Sequence, residues 1–404
     1  MASKVSDPLR VLAVDIGTGT QDILLFESDR TIENCYQLIL PSPTVIVAER
    51  IKRATAAGAT LLLTGRTMGG GPSAWAARDH ALAGLPTFAT PDAARTLDDD
   101  LTAVAALGIQ IVDDAEAARL RAHGDPHLTH VELRDFDAPT LRATLAAFGV
   151  DPAVDVVAVA AFDHGAAPPG YSDRRFRFDY IRRAVASRPE PIAFAYRHAD
   201  LPADLTRLAA VAADAAAYGA ADPDHAAPTV VVMDTGSAAV AGALDDPAVR
   251  APADVLIANI GNFHTLAFHL RAGRILGLFE HHTGELTRDR LETYLRQLAL
   301  GTISDDAVFA DSGHGALVVE AADGAADQSA SAPTDGSLPL LAVTGPRREL
   351  LRGSTLQPYE AVPHGDMMLA GCFGLLRAVA ACHPDMAPAI EGVLGPPPHS
   401  SPRP

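Results

Sequence analysis

The residues best suited to chemistry stand near the N-terminus, in the stretch from Val11 to Phe26, VLAVDIGTGTQDILLF. Four apolar, mostly branched residues precede Asp15, as expected of a strand buried on both faces. Gly17, Thr18, Gly19 and Thr20 follow, and apolar residues resume at Ile23. The pattern predicts a strand, a tight polar turn and a second strand. Two glycines let an anion approach the backbone, the turn N–H groups can point at it, and two hydroxyls add donors. Asp15, closing a buried strand, is placed to hold a hydrated Mg2+ beside a phosphate. The competing account is an ordinary hairpin with a glycine turn, in which Asp15 bonds only local N–H groups.

Other apolar runs end in the same way. Asp155 to Phe162 stops at Asp163-His164-Gly165, and Thr229 to Met233 stops at Asp234-Thr235-Gly236-Ser237. Asp254 to Ala258 stops at Asn259-Ile260-Gly261-Asn262, and Leu338 to Val343 at Thr344-Gly345-Pro346-Arg347. Thr60 to Leu63 runs into TGRTMGGGP, where Gly69 to Gly71 precede a helix from Ser73. In open α/β sheets the carboxyl ends of the strands form the ligand crevice. Six such ends predict a large ligand between two α/β domains. If a hydroxyl must be deprotonated there, Asp163 or His164 is the best-placed base, with Asp234 next. The plainer reading of Asp163-His164 is a loop cap with a hydrogen-bonded histidine.

Glu280-His281-His282, Glu285, His264 and His269 raise the question of a metal. Adjacent histidines on a strand point to opposite faces, so a tight zinc site is not expected from this spacing. Cys35, Cys372 and Cys382 form no CxxC pair, which suits a reducing compartment without disulfides.

The positioning elements are read from period and punctuation. Leu97 to Leu107, Thr140 to Phe148 and Leu205 to Tyr218 are predicted helices. Pro168 to Arg183 carries five Arg and four aromatic residues, and is expected to be a solvated basic helix face rather than a loop closing the crevice. Asp254 to Asn259, Phe263 to Leu270 and Arg274 to Phe279 read as consecutive strands, followed by a helix from Leu286 to Leu300. That order repeats the one from Val11 to Ala57, so the second half is expected to echo the first. Domains at 9–250 and 251–395 follow, with 321–337 a disordered insert and an unstructured Pro-rich tail from Pro396.

The chain has 404 residues and a net charge of −18, from 32 basic and 50 acidic side chains. That balance argues against a nucleic-acid partner, because phosphate backbones select basic surfaces. Aromatics are 5% against 48% hydrophobic residues, so the core must be built from Ala, Val and Leu. The opening MASKVSDPLR has no apolar signal core. The apolar runs are shorter than a bilayer span, and a cytoplasmic protein with no membrane contact is expected.

The strand, the Asp-x-Gly-Thr-Gly-Thr turn and the duplicated three-strand unit resemble the actin-like ATPase superfamily of sugar kinases, actin and Hsp70-type chaperones. The resemblance implies an α/β fold of two ribonuclease H-like (actin-like ATPase) domains flanking a nucleotide cleft that holds ATP and Mg2+. It makes Asp15 the metal residue and Gly17, Thr18, Gly19 and Thr20 the first phosphate loop. For the second loop, Asp234-Thr235-Gly236-Ser237 matches by residue type, and Asn259, Gly261 and Asn262 match by position. The latter is preferred, leaving Asp234 as a cleft residue. Gly345 marks the adenosine loop. The implied function is a Mg-ATP-dependent ATPase or small-molecule kinase acting on an unknown small-molecule or protein partner. The alternative is a nucleotide sensor without turnover.

More narrowly, DIGTGTQDILLF, MDTGSAAVAGAL, NIGNFHT and HGDMMLAGCFGLL look like a prokaryotic family of unknown function labelled as pyruvate formate-lyase activating enzyme. The label implies an activating protein for a glycyl-radical or dehydratase enzyme, with S-adenosylmethionine and an iron–sulfur cluster. Such enzymes use a local CxxxCxxC motif, which the three cysteines do not supply. In actin-like dehydratase activators a cluster is shared between two subunits. That would make this chain a homodimer with Cys372 or Cys382 at its interface, whereas the simpler expectation is packing cysteines.

Overall fold

Apolar runs punctuated by glycine turns assemble into three sheets in the computed structural model, which describes residues 7–219, 226–319 and 338–397. The insert expected at 321–337 and the end of the tail lie outside these residues. The chain opens with an antiparallel meander of β1 (Arg10–Ile16), β2 (Thr20–Glu27) and β3 (Tyr36–Pro41). It then leaves to build a separate parallel sheet. This contains β4 (Thr60–Gly65), β5 (Thr87–Ala89), β6 (Ile109–Ile111) and β7 (Leu128–Leu133), in the order β6-β5-β4-β7. On returning, β8 (Val156–Ala161) pairs parallel to β1. After β9 (Ala195–Arg197), β10 (Thr229–Asp234) pairs parallel to β8, giving the order β3-β2-β1-β8-β10-β9.

The last sheet has the same plan. It contains β11 (Asp254–Ile260), β12 (His264–Arg271), β13 (Arg274–His282), β14 (Gly315–Val318), β15 (Leu340–Thr344) and β16 (Tyr359–Glu360). Its order is β14-β13-β12-β11-β15-β16. In both six-stranded sheets the first strand opens a three-strand antiparallel meander on one side and pairs with a parallel strand on the other.

β1 and β11 have no polar-out alternation because both faces of each are covered. Leu12, Val14 and Ile16 join Val255, Ile257 and Phe268 in one apolar cluster shared by the two sheets. Val11 and Ala13 face a second cluster, and Leu256, Ala258 and Ile260 a third. The four-stranded sheet has its own core around Leu61, Leu63 and Val131.

Two helices tie the halves together. Thr235–Ala243 follows β10, yet packs against β11, β12 and β15 as well. Ala370–Cys382 follows β16, yet covers β1, β8 and β10, inserting Cys372, Phe373, Leu376 and Val379 beside Val11 and Ala13. The helices cross at glycines. A β-carbon on Gly242 would overlap the Ala370 carbonyl, and one on Gly374 would overlap that of Ala238.

The arginine-rich segment departs from expectation. It forms the helix Asp173–Ser187, but not as a solvated face. Arg175 and Arg182 pair with Asp305, Arg174 donates to the carbonyls of Phe309 and Gly313, and Arg177 is 1% exposed. The helix lies against β14 and the helix Asp305–Ala310 that precedes it, and the carboxylates and carbonyls there take up the guanidinium groups. Among the described residues, no helix is long and apolar enough to cross a membrane.

Candidate functional site

A cavity of about 390 Å³ opens where the strand ends of the two six-stranded sheets meet. It gathers Asp15, Gly17, Thr18, Gly19, Thr20, Asp163, His164, Asn259, Gly261, Asn262 and Gly345. Asp234 is the exception: it lies behind Thr235 and Gly236, which do line the cavity.

The two hairpin turns are built alike. Ile16 pairs with Gln21 and Ile260 with Thr265, so each loop spans four residues. The Gly17 N–H donates to the Thr20 carbonyl at 3.0 Å, and the Gly261 N–H to the His264 carbonyl at 2.9 Å. The N–H groups of Thr18, Gly19, Asn262 and Phe263 take no acceptor among the described residues. The first turn is braced from below. Ser42 and Thr44, at the start of helix Pro43–Ala56, donate their hydroxyls to the Thr18 carbonyl at 2.6 and 3.0 Å. The Ser42 N–H donates to the Gly19 carbonyl.

Asp15 and Asp22 are direct cross-strand partners, and each is 8% exposed. Burial, with the Asp22 carboxylate next, pushes Asp15 up to about 8. Burial pushes Asp22 up to about 7. The Thr235 hydroxyl donates to Asp15 Oδ1 at 2.6 Å, and Gly371 of the crossing helix packs so closely on the same carboxylate that no β-carbon would fit. Among the described residues, five carboxylates line the cavity (Asp15, Asp22, Asp99, Asp163 and Glu280) against two arginines, Arg95 and Arg207. Arg207 is already paired with Asp135.

Asp163 is buried and uses both oxygens on backbone, accepting from the Gly165 N–H and the Leu208 N–H at 2.8 Å each. It therefore shapes the loop and caps the helix Thr206–Ala216. His164 beside it is exposed to the cavity. Asp234 caps the helix it opens, accepting from the Ser237 N–H, and its other oxygen lies 2.7 Å from Arg177. Gly345, at φ +94°, packs on Ile260 and Asn259.

The four-stranded sheet also contributes. Its loop from Thr67 to Gly71 lines the cavity and is pinned by the Gly69 N–H, which donates to Asp135. Trp75, 55% exposed, meets Phe263 of the second turn edge-on at 5.5 Å between ring centres.

A family described as "Putative pyruvate format-lyase activating enzyme (DUF1786)" matches residues 68–350, more than half of the chain. The chain belongs to this family. The match takes in the second turn, Asp163, Asp234 and Gly345, and begins after the first turn. No curated protein matches the chain.

The family's description implies a thiolate-bound cluster, and the three thiols of this member do not assemble one within the chain. Among the described residues no cysteine joins two other ligand-type side chains at metal-binding distances. Cys372 is buried on the crossing helix and donates to the Asp22 carbonyl, while Cys35 donates weakly to the Glu27 and Thr31 carbonyls. Burial pushes both thiols up, away from the thiolate that a cluster requires.

Asp22, Arg207, Trp75 and Phe263 enter the site without having been singled out in the sequence. Asp22 had a signal: with a four-residue loop, the position paired with Asp15 is fixed by counting. The others depend on how separate sheets dock, which no local pattern carries.

Proposed function

We propose that this protein is an actin-like nucleotide-binding protein that takes Mg-ATP into the cavity between its two like sheets. There it would hydrolyse the nucleotide or pass a phosphoryl group to a small acceptor. The supporting observation is the pair of equivalent hairpin turns, one from each sheet and each set in the same five-strand arrangement (β3-β2-β1-β8-β10 and β13-β12-β11-β15-β16), lining one cavity. On this reading 9–250 and 251–395 are two ribonuclease H-like domains, the first carrying the four-stranded sheet as an insertion.

The donor set suits a metal–polyphosphate better than a bare anion. The turns offer unpaired N–H groups to phosphoryl oxygens, yet the cavity wall has an excess of carboxylates that would repel them. Asp15 and Asp22 are oxygen ligands of the kind Mg2+ takes, and their raised protonation marks a site that a cation would relieve. The cation would supply charge neutralisation between the phosphates. Thr235 orients Asp15, and Ser42 and Thr44 keep the first turn rigid. His164, exposed at the strand end, is the base for an acceptor hydroxyl, and Asp163 positions it through the loop. Gly345 would let the nucleoside lie close to backbone. Such a protein would work in the cytoplasm, where the nucleotide is supplied.

Thermal unfolding with ATP, ADP and a non-hydrolysable analogue, each with and without Mg2+, tests the reading. A ligand that binds only the folded state raises stability by about 2.7 kcal/mol at a hundredfold excess over Kd. No Mg2+-dependent shift with any nucleotide defeats the proposal, and phosphate release then separates turnover from sensing.

A further inference from the structure

Beside the cavity, three histidines from three segments converge. His264 opens β12 and His282 closes β13, and the two are register partners across the strand pair. His314 enters from the loop before β14, anchored by its own N–H donating to the Glu280 carbonyl at 2.9 Å. One nitrogen from each ring lies within 4.8 Å of those from the other two. The ring centres are 5.1, 5.2 and 4.7 Å apart. We propose that His264, His282 and His314 form a binding site for a zinc-type first-row divalent cation, separate from the carboxylates at Asp15 and Asp22.

The surroundings orient the rings as outer partners orient metal-bound imidazoles. Nδ1 of His282 lies 2.9 Å from the Ser312 carbonyl. A carbonyl only accepts, so Nδ1 carries the proton and Nε2 keeps its lone pair. Nδ1 of His314, a residue 3% exposed, has no hydrogen bond among the described residues and faces Glu280 Oε2 at 3.6 Å. Glu280 is itself fixed by Arg177, which donates to both of its oxygens at 2.9 and 3.1 Å. Phe162 stacks on His264 at 3.9 Å with the planes 6° apart, setting that ring's orientation. Burial first, and then the neighbouring rings, push His264 and His314 well down, and burial lowers His282. All three shifts favour the neutral imidazole, the ligating form.

Three neutral nitrogens with no carboxylate among them select zinc-type ions over Mg2+ or Ca2+, which prefer oxygen. Tetrahedral zinc at its usual bond lengths sets nitrogens about 3.4 Å apart. The nitrogens, within 4.8 Å of one another, would draw in to that distance on binding. Three protein ligands leave a fourth position for water or substrate. His264 lines the cavity, so the ion would sit at its wall. The neighbouring His281 turns to the opposite face, toward Tyr294 and Asp311. Adjacent histidines do diverge here, and the third ligand comes instead from a distant loop that sequence spacing could not supply.

The test uses the full chain without a polyhistidine tag, stripped with chelator and titrated with Co2+ and then Zn2+. We expect one equivalent of Co2+ with intense visible bands of tetrahedral type, displaced by one equivalent of Zn2+, and a raised melting temperature. The double variant His282→Ala/His314→Gln should lose at least about a hundredfold in affinity, beyond the effect of an outer partner. Asp15→Asn should retain the site, which separates this proposal from the nucleotide reading. Failure of the wild-type chain to take up Co2+ or Zn2+ at a hundredfold molar excess overturns the proposal. So does stoichiometric binding that persists in a double variant with native circular dichroism.

Discussion

Gly19 and Asn262 face each other across the cavity, so closely that a β-carbon on Gly19 would come within 2.8 Å of the Asn262 side-chain nitrogen. The two turns therefore act as opposing jaws, and the first has no side chain at the point of nearest approach. Gly19→Ala should fold normally, because the residue does not need positive φ and Asn262 can shift. Its stability should stay within about 0.5 kcal/mol of wild type. Mg-nucleotide affinity, measured by calorimetry, should fall about tenfold or more, a loss of about 1.4 kcal/mol. Unchanged affinity would show that the jaws do not grip the ligand.

The paired carboxyls of Asp15 and Asp22 set a pH dependence. Their ordinary value is 3.8, and in the fold they rise to about 8 and about 7. Between these values the folded chain holds protons that the unfolded chain has released. Their contribution to stability is thus complete below about pH 4 and is lost as pH climbs through 7 to 8. Denaturant titrations of the ligand-free protein across this window should show the decline. Asp15→Asn should flatten it, leaving the variant more stable than wild type at pH 8 by on the order of 1–3 kcal/mol, while abolishing Mg2+-dependent nucleotide binding.

Arg177 joins the helix Asp173–Ser187 to both halves of the molecule. It lies 2.7 Å from Asp234 and donates to Glu280 at 2.9 and 3.1 Å, with all three side chains 1% exposed. Burial works against its charge, but the two carboxylates keep it firmly protonated. Arg177→Ala leaves both carboxylates buried without a cation and should cost about 3–5 kcal/mol in urea denaturation. A loss below about 1 kcal/mol would mean that water enters and solvates the pair.

Substitution at the helix crossing should also be costly. Alanine in place of a helical glycine ordinarily gains up to about 1 kcal/mol. At Gly242 or Gly374 the new β-carbon would meet a backbone carbonyl, which cannot move without its helix. The clash should outweigh propensity, with a net loss of about 1–3 kcal/mol or more. A stabilised Gly242→Ala would show that the two helices part easily.

The sequence showed most clearly what is local. The Asp15 turn, the meander from Asp254 and the glycine stops after β8 and β15 all follow from runs and punctuation. The four-stranded sheet was hidden because Thr87–Ala89 and Ile109–Ile111 are three residues each, too short for any period to register. Asp234 resembles a cleft aspartate because it ends a buried strand before glycine. A helix starts there instead, and the carboxylate turns back to cap it and meet Arg177. The sequence places Arg177 on a solvated face, since nothing near it in the chain reveals Asp234 and Glu280. His314, a single histidine in a loop, carried no signal until the fold set it beside His264 and His282.

Because the helix Ala370–Cys382 roofs the opposite sheet, severing the chain between residues 250 and 254 would not release two autonomous pieces. The leading fragment would bare the apolar side around Val11, Ala13 and Met233 and should aggregate or stay molten by itself. Mixed with the trailing fragment it should regain structure, since each supplies cover that the other lacks. The glycine crossing is the point where the two helices bring their backbones together, so it clasps the halves more like an axle than a tether.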